Sequence, residues 1–132
     1  LQKAGALNVG AHFLVDRDGT IYQLLEEDRI ARHCIGLNHL SIGIENVGDG
    51  AGNALTGAQL AANAFLVQEL AGRHPITHLI GHHEYRSMEP HPYFSELDPK
   101  YRTVKSDPGT AFMEKLRAEV APLGLQGPPE KP

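Results

Sequence analysis

At 132 residues, with 41% hydrophobic and 21% charged content, the chain has the size and make-up of one ordinary globular domain with a core of its own. A net charge of −4 with histidine neutral offers no basic field to a nucleic acid, and no apolar run reaches membrane-spanning length. The single cysteine, Cys34, excludes an internal disulfide framework and a multi-cysteine zinc site, whereas eight histidines is many for this length.

Leu1 to Val9 reads as weak helix or loop, and it has neither the pattern of a signal peptide nor an initial Met. His12-Phe13-Leu14-Val15 and Ile21-Tyr22-Gln23-Leu24-Leu25 are short β-prone runs around Asp18-Gly19. An Asp-Gly pair supplies the positive φ that a tight turn needs, so a β-hairpin is expected. Glu26 to Leu40 is polar and irregular and is expected to be a loop. Ser41 to Gly48 reads as a central strand, with Ile42, Ile44 and Asn46 on one face and Gly43, Glu45 and Val47 on the other. A glutamate inside such a strand needs a partner or a task; the plain alternative is an edge strand with Glu45 in solvent.

Asp49 to Asn53 is a loop, and Thr56 is a good N-cap for a helix over Gly57 to Arg73. Its apolar face is expected to comprise Leu60, Ala64, Val67 and Ala71, widened by Ala61, Phe65, Leu66 and Leu70. Ile76 to Ile80 reads as a short strand delivering Gly81-His82-His83-Glu84 at its C-terminal end, where α/β sites collect. Tyr85 to Val104 is a long connection whose aromatic residues are expected to pack on the body. A last helix is expected over Ala111 to Val120, with Phe112, Leu116 and Val120 on its stripe. The domain is placed at residues 1–122, and 123–132 is read as a Pro/Gly-rich tail. The sum is an α/β (α+β) protein with a mixed central sheet flanked by helices.

His82 and Asp107 are candidate metal ligands, but 107 − 82 = 25 residues separate them, so no local spacing rule identifies the pair. A histidine with a carboxylate suits zinc, which in catalytic sites takes three protein ligands and keeps a position for water. Adjacent His82 and His83 point to opposite faces of a strand, so at most one of them enters such a site. Glu84 is expected to hydrogen-bond a ligating histidine, with a simple turn cap as the rival reading. Asp107 has a rival reading as a helix cap, and His12 as a packed strand histidine.

Ser41-Ile42-Gly43-Ile44-Glu45, Gly81-His82-His83-Glu84 and Lys105-Ser106-Asp107-Pro108-Gly109, together with Gly10 to Gln23, Ala31-Arg32-His33, Asn38-His39-Leu40 and Leu55 to Gln59, cover most of the chain. In this combination and order the chain resembles the type 2 N-acetylmuramoyl-L-alanine amidases, the family of phage lysozyme-type amidases and peptidoglycan recognition proteins. The resemblance implies a zinc-dependent hydrolase that cleaves the amide between N-acetylmuramic acid and L-alanine in peptidoglycan or muropeptides. It implies His82 and Asp107 as zinc ligands, Glu45 as base or water-orienter, and Lys105 as the cation that steadies the oxyanion. It also implies His33 as a residue lining the substrate groove, with Asn38 beside it. A periplasmic or secreted setting goes with the long Tyr85 to Val104 arm, and the cytoplasm is the alternative.

The chain departs from the family at one point. The family's first zinc ligand is a histidine on a strand upstream of the Gly-x-His-Phe segment, and here no histidine precedes His12. The third ligand is therefore expected upstream of Leu1, on a first strand missing from this chain. The competing function is a non-catalytic peptidoglycan-binding module, or an inactive fragment without that ligand.

Overall fold

The computed structural model describes residues 10–48 and 54–129. The expectations for Leu1 to Val9, for Asp49 to Asn53 and for the last three residues lie outside these.

Strands β1 (Phe13–Val15) and β2 (Ile21–Gln23) form the expected antiparallel hairpin, with Val15 opposite Ile21. Its turn closes through Gly19 N–H donating to the Asp16 carbonyl and Thr20 N–H donating to Asp18 Oδ1. Gly19 has φ +89°, and a Cβ there would lie 2.9 Å from the Ala58 carbonyl oxygen, so conformation and space both require glycine. Strand β3 (Ile44–Asn46) pairs with β1 in parallel, giving a three-stranded mixed sheet ordered β2-β1-β3. β3 was expected to be central; among the described residues it sits at the sheet edge. Ile76 to Ile80 does not join this sheet either. It makes one isolated bridge, His78 to Gln126, because Leu79 N–H and the Thr77 carbonyl pair with Gln126 of the C-terminal segment. The stretch read as a tail thus packs on the body as far as Gln126, with Leu125 partly buried against the α1–α2 core.

Helix α1 (Gly57–Arg73) begins where expected. Thr56 accepts from Gln59 N–H, and Gln59 Oε1 accepts from Thr56 N–H, a reciprocal capping box. Its Leu66 and Leu70 pack on Phe13, Val15, Ile42 and Ile44 of the sheet. Each such fully buried side chain contributes about 1.5–3 kcal/mol. Its Ala64 and Val67 pack on Met113, Leu116 and Val120 of helix α2 (Thr110–Glu119) and its C-terminal cap. The layers therefore run sheet, α1, α2.

The buried face of α1 differs from its apolar pattern. Ala61 and Phe65 are exposed, while Gln59 and Asn63 are buried. The sheet end explains this: Gln59 Nε2 donates to the Val15 and Val47 carbonyls, and Asn63 Nδ2 donates to Asn46 Oδ1. Backbone acceptors that end a strand inside the protein need a donor, and amide side chains supply it.

A third cluster joins Cys34 and Leu37 to Tyr85 and Met88 of a 3-10 turn, His82–Met88, within the stretch read as strand end and loop. Phe94 packs against it and Ser95 N–H donates to the Gly36 carbonyl, so the long connection is tied to the body as its aromatics suggest.

Candidate active site

Four segments meet at the C-terminal end of β3. β3 carries Glu45, the 3-10 turn opens with His82, the approach to α2 carries Asp107, and the loop before β3 carries His33 and Asn38. The ends of the 82–107 segment are pinned by backbone, since His83 N–H donates to the Asp107 carbonyl at 2.9 Å. This contact brings His82 Nδ1 to 2.5 Å from Asp107 Oδ2 despite their distance in sequence. Glu45 Oε1 lies 3.6 Å from the same Nδ1. One donor atom from each of the three residues falls within a sphere where all lie within 4.8 Å of one another. The side chains are 15%, 22% and 39% exposed for His82, Asp107 and Glu45, so the cluster is recessed yet open to solvent on the Glu45 side.

The charges are coupled. Burial by itself would lower the His82 pKa, but the hydrogen bond and charge of Asp107, with Glu45 behind it, lift it above the ordinary histidine value. The His82 hydrogen bond in turn holds Asp107 below the usual carboxylate range against its partial burial. Zinc–donor bonds of about 2.0–2.2 Å in tetrahedral array set donors about 3.3–3.6 Å apart. The Glu45–His82 separation of 3.6 Å is of that size. The His82–Asp107 pair, at 2.5 Å, would open by about 1 Å as a metal took the place of their shared proton. The His82 nitrogen and the Asp107 carboxylate are donors of the kind zinc takes, and the Glu45 carboxylate lies within reach of the same position.

Two cavities adjoin His82. The larger, about 410 Å³, runs between β3 and residues 75–81 and is walled by apolar side chains such as Ile42, Val67, Leu70 and Phe112. The smaller, about 170 Å³, is polar and takes in His33, Asn38, Tyr101, Thr103 and Lys105. Lys105 is exposed, and its charge is close enough to weigh against protonation of His82. Tyr101 and Thr103 place the long connection along one side of this cavity, held by the Tyr85 hydroxyl, which donates to the Thr103 carbonyl at 2.6 Å and accepts from Thr103 N–H at 2.7 Å.

His33 stands with its ring centroid 6.2 Å from that of His82. Burial, then the neighbouring His82 and His12, push its pKa down to about 4, so it is a neutral imidazole near pH 7. Gly43 makes room for it: a Cβ there would sit 2.6 Å from the His33 ring. Asn38 works on the backbone, its Oδ1 accepting from His33 N–H at 2.8 Å and Cys34 N–H at 2.7 Å, which fixes the loop bearing His33. Cys34 is no nucleophile in this setting, since burial and the Asp107 charge push its thiol up to about 11.

His12 is fully buried away from this cluster, with Nε2 on the Arg29 carbonyl and Nδ1 accepting from Gly43 N–H, as a packed strand histidine. Glu84 does not reach His82. It accepts from Gly81 N–H and from the Arg117 guanidinium, so it acts as the cap of the turn and positions His82 through the backbone. Arg117 carried no sequence signal for this role; its only trace is a basic residue on the polar face of α2.

Residues 2–110 match the family model described as N-acetylmuramoyl-L-alanine amidase. The chain is 34% identical over 88 residues to the endolysin of Enterobacteria phage K11, covering 63% of this chain and 58% of that protein. It is 30% identical over 92 residues to peptidoglycan-recognition protein SC2 of Drosophila melanogaster, covering 67% of this chain and 50% of that protein. Among solved structures, the N-acetylmuramoyl-L-alanine amidase LysC from Clostridium intestinale URNW superposes with a TM-score of 0.66 at 26% identity, over 85% of this chain and 64% of that one. The chain thus spans less than two thirds of each of these proteins.

Proposed function

Because the chain belongs to the N-acetylmuramoyl-L-alanine amidase family, we propose that it hydrolyses the amide between N-acetylmuramic acid and L-alanine in peptidoglycan or its muropeptides, with one zinc ion held by His82 and Asp107. What supports the reading is the meeting of Glu45, His82 and Asp107 within 4.8 Å, beside a polar cavity that also takes in Lys105 and His33. Bound there, zinc supplies a Lewis acid for the carbonyl and lowers the pKa of its water towards about 7.

The protein's residues do the rest. Glu45, the most exposed of the three, accepts a proton from the attacking water at its carboxylate and returns it to the leaving nitrogen. Lys105 offers its ammonium to the carbonyl oxygen as that atom gains charge. His33, neutral, lines the groove as a hydrogen-bonding wall, and Asn38 holds it there. The backbone contact between His83 and Asp107 keeps the two ligands in register. A peptidoglycan substrate favours a periplasmic or secreted setting, and a free muropeptide substrate leaves the cytoplasm as the alternative.

The test is incubation of the zinc-loaded protein, in a form extended upstream of Leu1, with purified muropeptides, following release of peptide with a free L-alanine amino terminus. Cleavage at that bond, lost on chelation and regained with zinc, is the expected result. An intact bond after long incubation refutes it, and muropeptide binding without cleavage would make the chain a binding module instead.

A further inference from the structure

Lys105 has a task in the proposed reaction, yet among the described residues none of 103–106 belongs to a hydrophobic cluster. Lys105 is exposed, as are Thr103, Val104 and Ser106 beside it. Its charge nonetheless falls within the site. It opposes protonation of His82 and, behind the His82 hydrogen bond, helps to hold Asp107 below the usual carboxylate range. A lysine ammonium is a point charge on a flexible four-carbon stem, so its place is only as well defined as the backbone beneath it.

That backbone is tied at two points, and both ties come from the 3-10 turn that carries His82. At one end, His83 N–H donates to the Asp107 carbonyl at 2.9 Å. At the other, the Tyr85 hydroxyl takes both backbone groups of Thr103, donating to the carbonyl at 2.6 Å and accepting from the N–H at 2.7 Å. Lys105 is the middle residue of the span so held. Tyr85 is itself fixed: it is 2% exposed and packs with Cys34, Leu37 and Met88. A phenylalanine ring would fill the same space in that cluster, so the hydroxyl serves the Thr103 peptide. Tyr85, Thr103, Lys105 and His82 all line the small cavity.

We propose that Tyr85 is a positioning residue: its hydroxyl clamps the Thr103 peptide and thereby holds the Lys105 ammonium in register with His82. What Lys105 does there rests on the amidase reading; the clamp does not. A cation set in place before charge develops on the carbonyl oxygen acts chiefly in the transition state, so its positioning appears in kcat rather than in KM. A displacement of about 1 Å in a positioned group costs up to about 100-fold.

Tyr85→Phe keeps the ring in its cluster and removes only the clamp. Thr103 is exposed, so water takes over its N–H and carbonyl and the fold survives. Two readouts follow, on the zinc-loaded protein in a form extended upstream of Leu1. Amide exchange read by NMR should quicken about 10-fold at Thr103. The His83 amide, bonded to the Asp107 carbonyl, should exchange as before. On muropeptides, kcat should fall about 10- to 100-fold with KM and zinc affinity unaltered. In a Lys105→Ala background the same substitution should change kcat by less than about 2-fold, because the cation it positions is gone. Unchanged exchange at Thr103 overturns the clamp, whether or not the protein cleaves anything. Unchanged kcat in an active protein, or an equal fall with and without Lys105, overturns the positioning of Lys105. A wild type that cleaves nothing refutes the amidase reading alone, and the exchange result then decides the clamp.

Discussion

Removing the Arg117 fork should loosen the turn that presents His82. Nη1 donates to Glu84 Oε2 at 3.1 Å, and Nη2 donates to Glu84 Oε1 at 2.7 Å and to the Leu79 carbonyl at 3.0 Å. Arg117→Met keeps the aliphatic stem on α2 but leaves Glu84 with Gly81 N–H as its remaining partner. Breaking a fully buried pair costs about 3–5 kcal/mol, and an exposed pair contributes at most about 1 kcal/mol. Side chains 33% and 19% exposed lie between these limits, so a loss of about 2 kcal/mol is expected. For a chain of this size that lowers the melting temperature by about 6–10 °C, read by circular dichroism. Burial alone would raise the Glu84 pKa, but Arg117 and the Gly81 N–H carry it below its ordinary 4.5. The pair's contribution is therefore complete above pH about 4.5 and fades as pH falls through the lower folded value. The gap between wild type and variant should close on acidification in the same way. Chelator competition should show weaker zinc binding by the variant, since Gly81 and Glu84 hold the turn. A melting shift under 2 °C at pH 7, or a gap indifferent to pH, would refute the reasoning.

Glu45→Gln should cut muropeptide hydrolysis about 100- to 10,000-fold by removing the proton acceptor, while metal analysis still finds one zinc per chain; loss of the metal would mean that Glu45 is chiefly a ligand. For His33, with a folded pKa of about 4 against 6.5 for the free side chain, the unfolded chain binds the extra proton between these values. Stability should thus rise with pH from about 4 to 6.5 and flatten above, by at most about 3.4 kcal/mol, and His33→Gln should remove that slope in urea titrations. Gln59→Leu, nearly isosteric, leaves the Val15 and Val47 carbonyls and the Thr56 N–H without a side-chain partner and should cost about 2–4 kcal/mol in denaturant unfolding. A neutral effect there would mean that water replaces the amide.

The parts of the fold legible in the sequence are those set by local chemistry. The Asp18-Gly19 turn and the Thr56 cap each encode their own backbone geometry, and both elements appear where those residues place them. What escapes is set by distant backbone. Hydropathy sends Phe65 inward and Gln59 outward; the structure reverses them because two strand-end carbonyls lie over Gln59. Ile76 to Ile80 has strand composition, but its partner is Gln126, which no periodicity announces. The site shows the same division. Nothing in the spacing of His82 and Asp107 joins them; residue type makes them candidates, the resemblance assigns them to one metal, and backbone contact brings them to 2.5 Å. Glu84 was assigned to a ligating histidine, whereas the geometry gives it to Arg117, a residue whose role depends on how α2 docks.

That docking matters because the hydrophobic clusters govern different parts of the site. Packing of α1 on the sheet fixes β3 and hence Glu45. Packing of α2 on α1 fixes the approach to α2 and hence Asp107, and through Arg117 the turn bearing His82. The cluster of Cys34, Leu37, Tyr85 and Met88 fixes the 31–38 loop against that same turn, and so sets His33 and Arg32 relative to His82. Three donors within 4.8 Å are thus the point where three independently packed units agree. A close-packed core transmits a displaced side chain as a shift of a whole element, not as local slack. Donor separations in this site therefore report the packing of the entire domain: a cavity in the α1–α2 cluster moves Asp107 and the His82 turn together, and one in the sheet cluster moves Glu45.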